Sequence, residues 1–314
     1  MDILCLMGLF PDEYRKEIEK DSKFGMQNAA NKLQWEIVRG LDRVDGVDTK
    51  IVNSLYIGAY PKRYRRMRIP TFSFAHRDGA RDINVGFCNL PLVKLLSRYL
   101  GVKKEVRKWA KDGSKADKIL LIYALTTPFV NIARYVKRKY PEIKVCIVVP
   151  DLPDYMNVAA MERKGLYYYA KSAEIKAIKR CIRQVDCYVL LTDAMKEWFD
   201  SQISYTVVEG IAAISQEAEE KTERKKQILY AGGIKAEYGV IDMARAFIKA
   251  YKVCYEFLVL DCMIVVFRSY VFELALAYVV IIKNLSEFLG NKSESLSVLI
   301  MHSGRFFVFE RYRA

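Results

Sequence analysis

Two rhythms of apolar residues alternate along the first 212 positions of this 314-residue chain. Short apolar runs at 3–9, 49–57, 118–123, 144–149, 187–191 and 205–208 read as strands, with 83–87 as a further short one. Between them, apolar residues recur every three or four positions. The segment 26–41 carries Ala30, Leu33, Ile37 and Leu41 at helical spacing, and 90–99 is helical, continued by a lysine-rich piece through 111. A helix is expected at 128–139. A long one follows with Ala173, Ala177 and Cys181 beside Ile178, Ile182 and Val185, and 194–199 makes a helical turn. The clearest strand–helix–strand unit spans 118–149. Repetition of that unit implies an α/β fold, a parallel, doubly wound sheet.

The rhythm changes after residue 212. Positions 213–226 are polar and charged and read as an interdomain linker. A strand from Gln227 then runs into Gly232 and Gly233, a short turn, Gly239 and a helical pattern through Met243, Ala244, Ala246, Phe247 and Ala250. Glycines at such a turn let the backbone crowd against a phosphate, and the helix N-terminus behind them favours negative charge. Roughly 85 residues follow the start of this strand, too few for a second α/β domain of ordinary size. The stretch 254–314 is rich in Phe, Val, Tyr, Leu and Ser and lacks proline. It reads either as an unrelated tail left by a change of reading frame near 254–260, or as a divergent, shortened domain with a buried helix at 257–282. The expected organisation is thus 1–212, a Rossmann-like domain; 213–226, a linker; 227–253, the start of a second such domain; and 254–314, an atypical tail.

Composition narrows the classes. The formal charge of +14 points to an anionic partner, whether nucleic acid, a phosphorylated ligand or an acidic membrane surface, or else to a solvated basic face. Seven cysteines include no CxxC pair and mostly sit in apolar runs, as buried reduced thiols do. With His76 and His302 the only histidines, a Cys/His zinc site is not expected, and no metal is assigned. The N-terminus reads as a buried strand rather than a secretory signal. The run 257–282 is interrupted by Asp261, Arg268 and Glu273, which disfavours a membrane span.

Ligands of open α/β sheets gather beyond the carboxyl ends of the strands, which singles out a handful of loops. Gly25 precedes the helix at 26–41 and is either part of a phosphate or sugar site or a simple turn glycine. The 123–128 loop offers Thr126 and Thr127 as ligands or as a helix start at Pro128. Asp151 and Asp154, within Pro150-Asp151-Leu152-Pro153-Asp154, either orient sugar hydroxyls and act as a base or belong to a rigid turn. Glu209-Gly210 stands where a crevice between domains would close, with a hinge glycine as the other reading. Gly232 and Gly233 match neither a GxGxxG fingerprint nor a P-loop, leaving a generic strand–glycine–helix phosphate site. Basic residues cluster twice: Lys62, Arg63, Arg65, Arg66 and Arg68 alternate with Tyr60 and Tyr64, and a second set lines the helix after 163 beside Tyr167, Tyr168 and Tyr169. Such interleaving suits RNA or an anionic lipid surface; without an RNA-binding signature, the lipid surface is the preferred reading.

With these residues in hand, the chain resembles bacterial glycosyltransferases of the GT-B kind, family 4-like. The likeness rests on the Gly25 loop, on 144–153 (KVCIVVPDLP), on 188–195 (YVLLTDAM), on 207–211 (VVEGI) and on 228–239 as the opening strand and donor loop of a C-terminal domain. The resemblance implies two Rossmann-like domains facing a cleft, with no metal and no cofactor beyond the nucleotide sugar as substrate. It implies Gly25, Gly232, Gly233, Lys235 and Gly239 at the donor, and Asp151, Asp154 or Glu209 as catalytic carboxylates at a sugar. Arg63, Arg65, Arg66 and Arg68 would face the inner leaflet of the plasma membrane. The expected partners are a nucleotide-sugar donor, a lipid-linked or polysaccharide acceptor and an anionic membrane surface, without nucleic acid, in a cytoplasmic and peripheral enzyme of cell-surface polysaccharide synthesis. Two departures stand out. Many members carry arginine where Gly233 stands and lysine where Tyr238 stands, leaving Lys235 as the nearby cation. The family's later pair of glutamates, eight positions apart, is not found after Gly239; Glu287 and Glu294 are seven apart. A catalytically inactive remnant and a basic nucleic-acid-binding protein are the two alternatives.

Overall fold

A computed structural model describes residues 1–23, 26–91, 93–113, 117–154, 166–200, 202–211, 227–231, 239–243, 245–246, 262–266, 298–302 and 305–309. The chain forms two compact units, Met1–Ile214 and Ser215–Ala314.

The first unit opens with β1 (Asp2–Met7), a 3₁₀ turn (Asp12–Tyr14), α1 (Arg15–Asp21), α2 (Asn28–Leu41) and β2 (Asp48–Asn53). Four short strands follow: β3 (Arg68–Ile69), β4 (Phe72–Phe74), β5 (Asp82–Asn84) and β6 (Phe87–Cys88). Then come α3 (Lys94–Ala110), β7 (Lys118–Tyr123), α4 (Thr127–Lys139), β8 (Lys144–Val149), α5 (Leu166–Cys181), β9 (Cys187–Leu190), a 3₁₀ helix (Asp193–Trp198) and β10 (Tyr205–Val207). An eight-stranded sheet has the order β10-β9-β8-β7-β1-β2-β5-β4. All its pairings are parallel except the hairpin β4–β5. The order steps from β1 to β2 on one side and restarts at β7 on the other, so the topological switch point lies beside β1.

The period-two alternation of β1 shows how both faces are buried. Ile3, Cys5 and Met7 join Leu121, Tyr123 and Val148 on the face covered by α2. Leu4 and Leu6 join Leu120, Ile122, Val145 and Ile147 on the face covered by α3, α4 and α5 through Val102, Val106, Phe129, Ala133, Val136 and Ile178. The helical stripe Ala30, Leu33, Ile37 and Leu41 packs where its spacing expects. A third small cluster of Phe10, Ile18, Leu55, Tyr64, Ile69 and Phe87 seals the loops around β3 and β6. The expected strand at 49–57 ends as strand at Asn53; beyond it the chain runs on as loop, with the Ser54 N–H donating to the Met7 carbonyl at 2.9 Å and the Tyr56 N–H to that of Gly8 at 3.1 Å. The short strand expected at 83–87 is two, β5 and β6, belonging to different sheets. Tyr64, read as an interfacial aromatic, is a core residue, 3% exposed.

In the second unit β11 (Gln227–Ala231) pairs in parallel with β12 (Cys262–Val266), and β13 (Val298–His302) with β14 (Arg305–Phe309) forms an antiparallel hairpin. Residues 262–266 are therefore strand, where one reading of the sequence placed a buried helix at 257–282; Ile264-Val265-Val266 is a β-branched run suited to a ladder. Gly239 has φ +68°, the left-handed region open to glycine, and its carbonyl accepts the N–H of Met243 at 2.9 Å, opening a helical turn with Val240 buried. The linker 213–226 lies outside the described residues.

Candidate functional site at the carboxyl edge of the sheet

Seven strands point their carboxyl ends the same way, so the loops after β1, β2, β7, β8, β9 and β10 form one rim. Its first half is cross-braced by buried polar groups. After β1, the Gly8 N–H donates to Gln34 Oε1 at 2.7 Å and the Phe10 N–H to Asn31 Oδ1 at 2.6 Å, tying the loop to α2. The Asn53 amide, fully buried, donates to the Leu9 carbonyl at 3.0 Å and to Asn84 Oδ1 at 2.9 Å. Gly8 has a steric reason to be glycine: a Cβ there would lie 2.2 Å from the Tyr56 ring.

Tyr56 joins three strand ends. Its hydroxyl donates to the Tyr123 carbonyl at 2.7 Å, and its backbone N–H reaches the Gly8 carbonyl at 3.1 Å. Over its ring lies the buried guanidinium of Arg98 at 5.2 Å, which also faces Phe87 at 5.3 Å and Phe129 at 5.4 Å. Arg98 donates to Ser54 Oγ at 2.9 Å and to the Ser54 carbonyl at 2.6 Å. Burial lowers its pKa to about 10, partly offset by Tyr56. Nearby, Lys94 donates to the Ile57 carbonyl, and its pKa falls to about 7 through burial first and then the charges of Arg98 and Arg63. The Arg98 guanidinium keeps this corner electropositive, while burial and that neighbouring charge drive Lys94 towards its neutral form.

At the switch point the chain leaves β7 through Ala124 at φ +72°, a conformation costly for a residue with a Cβ. The Ala124 N–H still pairs with the Val148 carbonyl at 2.9 Å, so β8 holds the turn in place. Tyr123 and Thr126 each bury a hydroxyl without a hydrogen-bond partner among the described residues. Thr127 donates to Glu174, which also pairs with Lys171 at 2.9 Å. Burial would raise the Glu174 pKa, yet these two donors hold it below the usual value.

The second half of the rim carries the carboxylates. Asp151 is exposed; Asp154, three residues on, is half-buried and accepts the Trp198 indole N–H. That bond fixes Asp154 to the 3₁₀ helix after β9. Glu209 and Gly210 are exposed on the loop after β10. Two strand spacings separate β8 from β10, so Glu209 emerges from the sheet about 10 Å from the Asp151 loop. Asp193 lies between them, held below its usual pKa by hydrogen bonds from Lys196 and then Tyr205.

Of the proposed donor residues, Gly25, Gly232, Gly233 and Lys235 lie outside the described residues, while Gly239 opens its helical turn. The arginines of the basic loop differ in their surroundings. All four are exposed, but Arg66 forms ion pairs with Glu17 at 2.5 Å and with Asp21. Burial works against the Arg66 charge, and these carboxylates outweigh it, raising its pKa. The pattern alone did not single out Gly8, Tyr56, Lys94, Arg98 or Ala124. Gly8, a glycine inside the first apolar run and directly after β1, was the legible signal.

Among the described residues no group of three or more His, Cys, Asp or Glu side chains could hold a metal, and no helix is long and apolar enough to cross a membrane. Cys5, Cys88, Cys146, Cys181 and Cys187 are free thiols, Cys5 and Cys181 buried.

No protein-family model and no curated protein matches the sequence. Solved structures do match. The N-terminal domain of trehalose-6-phosphate phosphatase from Candida albicans superposes with a TM-score of 0.56 at 10% identity, over 96% of this chain and 71% of that one. Weaker likenesses include α,α-trehalose 6-phosphate synthase from Burkholderia multivorans (TM-score 0.48, 9% identity, 92% and 68% covered) and UDP-GlcNAc 2-epimerase from Neisseria meningitidis (0.41, 13%, 96% and 72%). At these identities the likeness is one of fold. The chain has an α/β fold of the GT-B type, a complete first Rossmann-like unit followed by a second unit with a parallel strand pair.

Proposed function

We propose that this protein is a glycosyltransferase that moves a sugar from a nucleotide-sugar donor to a lipid-linked or polysaccharide glycan acceptor in cell-surface polysaccharide synthesis. The observation that carries the reading is the rim itself. It has one wall of locked aromatic and cationic groups (Tyr56, Arg98, Lys94) and, across the switch point, a wall of carboxylates (Asp151, Asp154, Glu209) on a GT-B type sheet.

In this reading the acceptor binds the first unit. An exposed Asp151 or Glu209 accepts the proton of the attacking hydroxyl, and Asp154, oriented by Trp198, hydrogen-bonds a sugar hydroxyl. Residues 227–253 open the donor half, where Gly232, Gly233 and Gly239 let the backbone approach the diphosphate and Lys235 offsets the negative charge of the leaving group. In the same reading Gly25 belongs to the donor site. Arg63, Arg65, Arg66 and Arg68 form an anion-facing loop, and the enzyme works at the inner face of the membrane. A catalytically inactive remnant is the second reading, favoured by the missing glutamate pair and by arginine and lysine absent from positions 233 and 238.

Calorimetric titration of the full chain with UDP- and GDP-sugars tests the proposal. Saturable binding that weakens on Lys235→Ala, with sugar release that falls at least 100-fold in Asp151→Asn or Glu209→Gln, is the expected result. Absence of binding to either nucleotide class would leave the remnant.

A further inference from the structure

Helix α3 presents an outer face that the sheet does not use. Its inner face is buried through Arg98, Val102, Val106 and Trp109. Opposite them, Leu96, Leu100, Lys103, Lys104, Arg107 and Lys111 follow at spacings of three and four and make one stripe. Leu96 and Leu100 are 59% and 55% exposed, with Val93, one turn before them, at 42%. A lone exposed leucine needs no explanation, but a contiguous apolar patch does. The stripe continues as a shallow open depression lined by Leu100, Lys103, Lys104, Arg107, Lys108 and Lys111. Glu105 is the only carboxylate of α3 and pairs with Lys108 at 2.9 Å, away from the stripe.

The helix has a fixed polarity on the sheet. Arg98, near its start, is bonded to Ser54 at the carboxyl end of β2, while Trp109, near its end, donates to Asp2 at the beginning of β1 at 2.9 Å. The apolar turns therefore sit at the rim edge and the basic turns at the opposite edge. The Lys103 ammonium lies over the rings of Tyr135 at 4.6 Å and Tyr99 at 5.5 Å, giving the flank an aromatic border.

We propose that the outer face of α3 rests on the surface of an anionic phospholipid bilayer. Val93, Leu96 and Leu100 enter the acyl boundary, and Lys104, Arg107 and Lys111 reach headgroup phosphates. Charge complementarity selects this occupant. A second copy would bring the same basic stripe and a chain of +14 against it. A nucleic acid would satisfy the lysines but leave the leucines in water, whereas an anionic bilayer takes both. The inference deepens the proposed function by moving the membrane contact from the arginine loop to a helix, and it rests on that reading for its purpose.

The test is co-sedimentation of the full chain with vesicles of phosphatidylcholine alone and of phosphatidylcholine with phosphatidylglycerol. Binding is expected only with phosphatidylglycerol and is expected to weaken with salt. The pair Leu96→Glu/Leu100→Glu should lose at least about tenfold in vesicle affinity, and Lys104→Ala alone roughly fivefold. These side chains are exposed, and unchanged circular dichroism and melting temperature will confirm folding. Equal binding with and without phosphatidylglycerol, binding to neither, or loss on Arg63→Glu/Arg65→Glu instead of the α3 variants, overturns the proposal. So does RNA binding that falls with the α3 variants while vesicle binding does not. Because no sugar nucleotide is present, failure here is distinguishable from failure of donor binding in calorimetry.

Discussion

The two halves of the rim are built on opposite plans. Around β1, β2 and β7, every loop is tied by a buried polar group: Gln34 and Asn31 to the first, Arg98 to the second, Tyr56 to the third. Around β8, β9 and β10 the loops carry exposed carboxylates, and Asp154 alone of the three candidates is tethered by a side chain, Trp198. The braced half spends its polar groups on structure. The open half leaves them to solvent, where a ligand can reach them. Tethering has a cost that the braced half meets locally: Ala124 in the left-handed region is held by the Val148 carbonyl, and Arg98 in a ring cage is held by Ser54.

The sharpest way to break this contrast is Arg98→Ala. It empties the space among Tyr56, Phe87 and Phe129 and leaves the Ser54 carbonyl and hydroxyl unpaired. A loss of about 3–5 kcal/mol in urea unfolding is expected, from the cavity and the orphaned acceptors together. Next comes a matched pair of glycines. Gly8→Ala drives a methyl into the Tyr56 ring and should cost about 1–3 kcal/mol, whereas Gly210→Ala meets no atom within 4 Å and should stay within about 0.5 kcal/mol. Equal effects at the two positions would remove the distinction between the halves. Trp198→Phe keeps the ring packing on Phe199 but removes the donor to Asp154, an expected loss of about 1 kcal/mol in the same measurement.

The smallest effects are those of pH, and two groups should act with opposite sign. His76 has a buried ring whose Nδ1 lies 2.6 Å from Asp82 Oδ2 and whose Nε2 lies 3.3 Å from Asp42 Oδ1. Burial opposes its charge, but hydrogen bonding and charge from Asp82, and then the charge of Asp42, raise its pKa. Its stabilisation is complete below the unfolded value near 6.5 and is lost as pH rises through the folded value. Lys94 is lowered to about 7, so its buried charge destabilises below that pH, and stability recovers between there and the unfolded value near 10.5. Subtracting the unfolding free energies of His76→Gln and Lys94→Met from wild type across pH 5–10 should give slopes of opposite sign. Parallel slopes would mean that one of the two groups does not titrate as its surroundings require.

Much of the core was legible in the chain. The alternation Ile3-Leu4-Cys5-Leu6-Met7 dictated a strand buried on both faces, and the helical stripe of Ala30, Leu33, Ile37 and Leu41 dictated its cover. Both are local consequences of periods of two and 3.6 residues. The candidate site was less legible. Asp151, Asp154 and Glu209 could be marked as strand-end carboxylates, but nothing in their spacing showed that Asp154 would be held by Trp198, 44 positions away. Tyr64 read as a surface aromatic because its neighbours are basic, yet Phe10, Ile18 and Leu55 enclose it.

Sequence alone determined the alternation of strands and helices, the parallel sheet that follows from it, and a strong positive charge. Tertiary structure decided which polar residues became struts. Arg98, Asn53 and Gln34 are ordinary letters in the sequence, and only the order of strands around β1 brings their partners within hydrogen-bond reach. It also decided where the charge is useful. The period of α3 placed its lysines and leucines on one stripe, but only its packing through Val102, Val106 and Trp109 turned that stripe outward. Periodicity is a property of neighbours in the chain, whereas desolvation and pairing depend on neighbours in space.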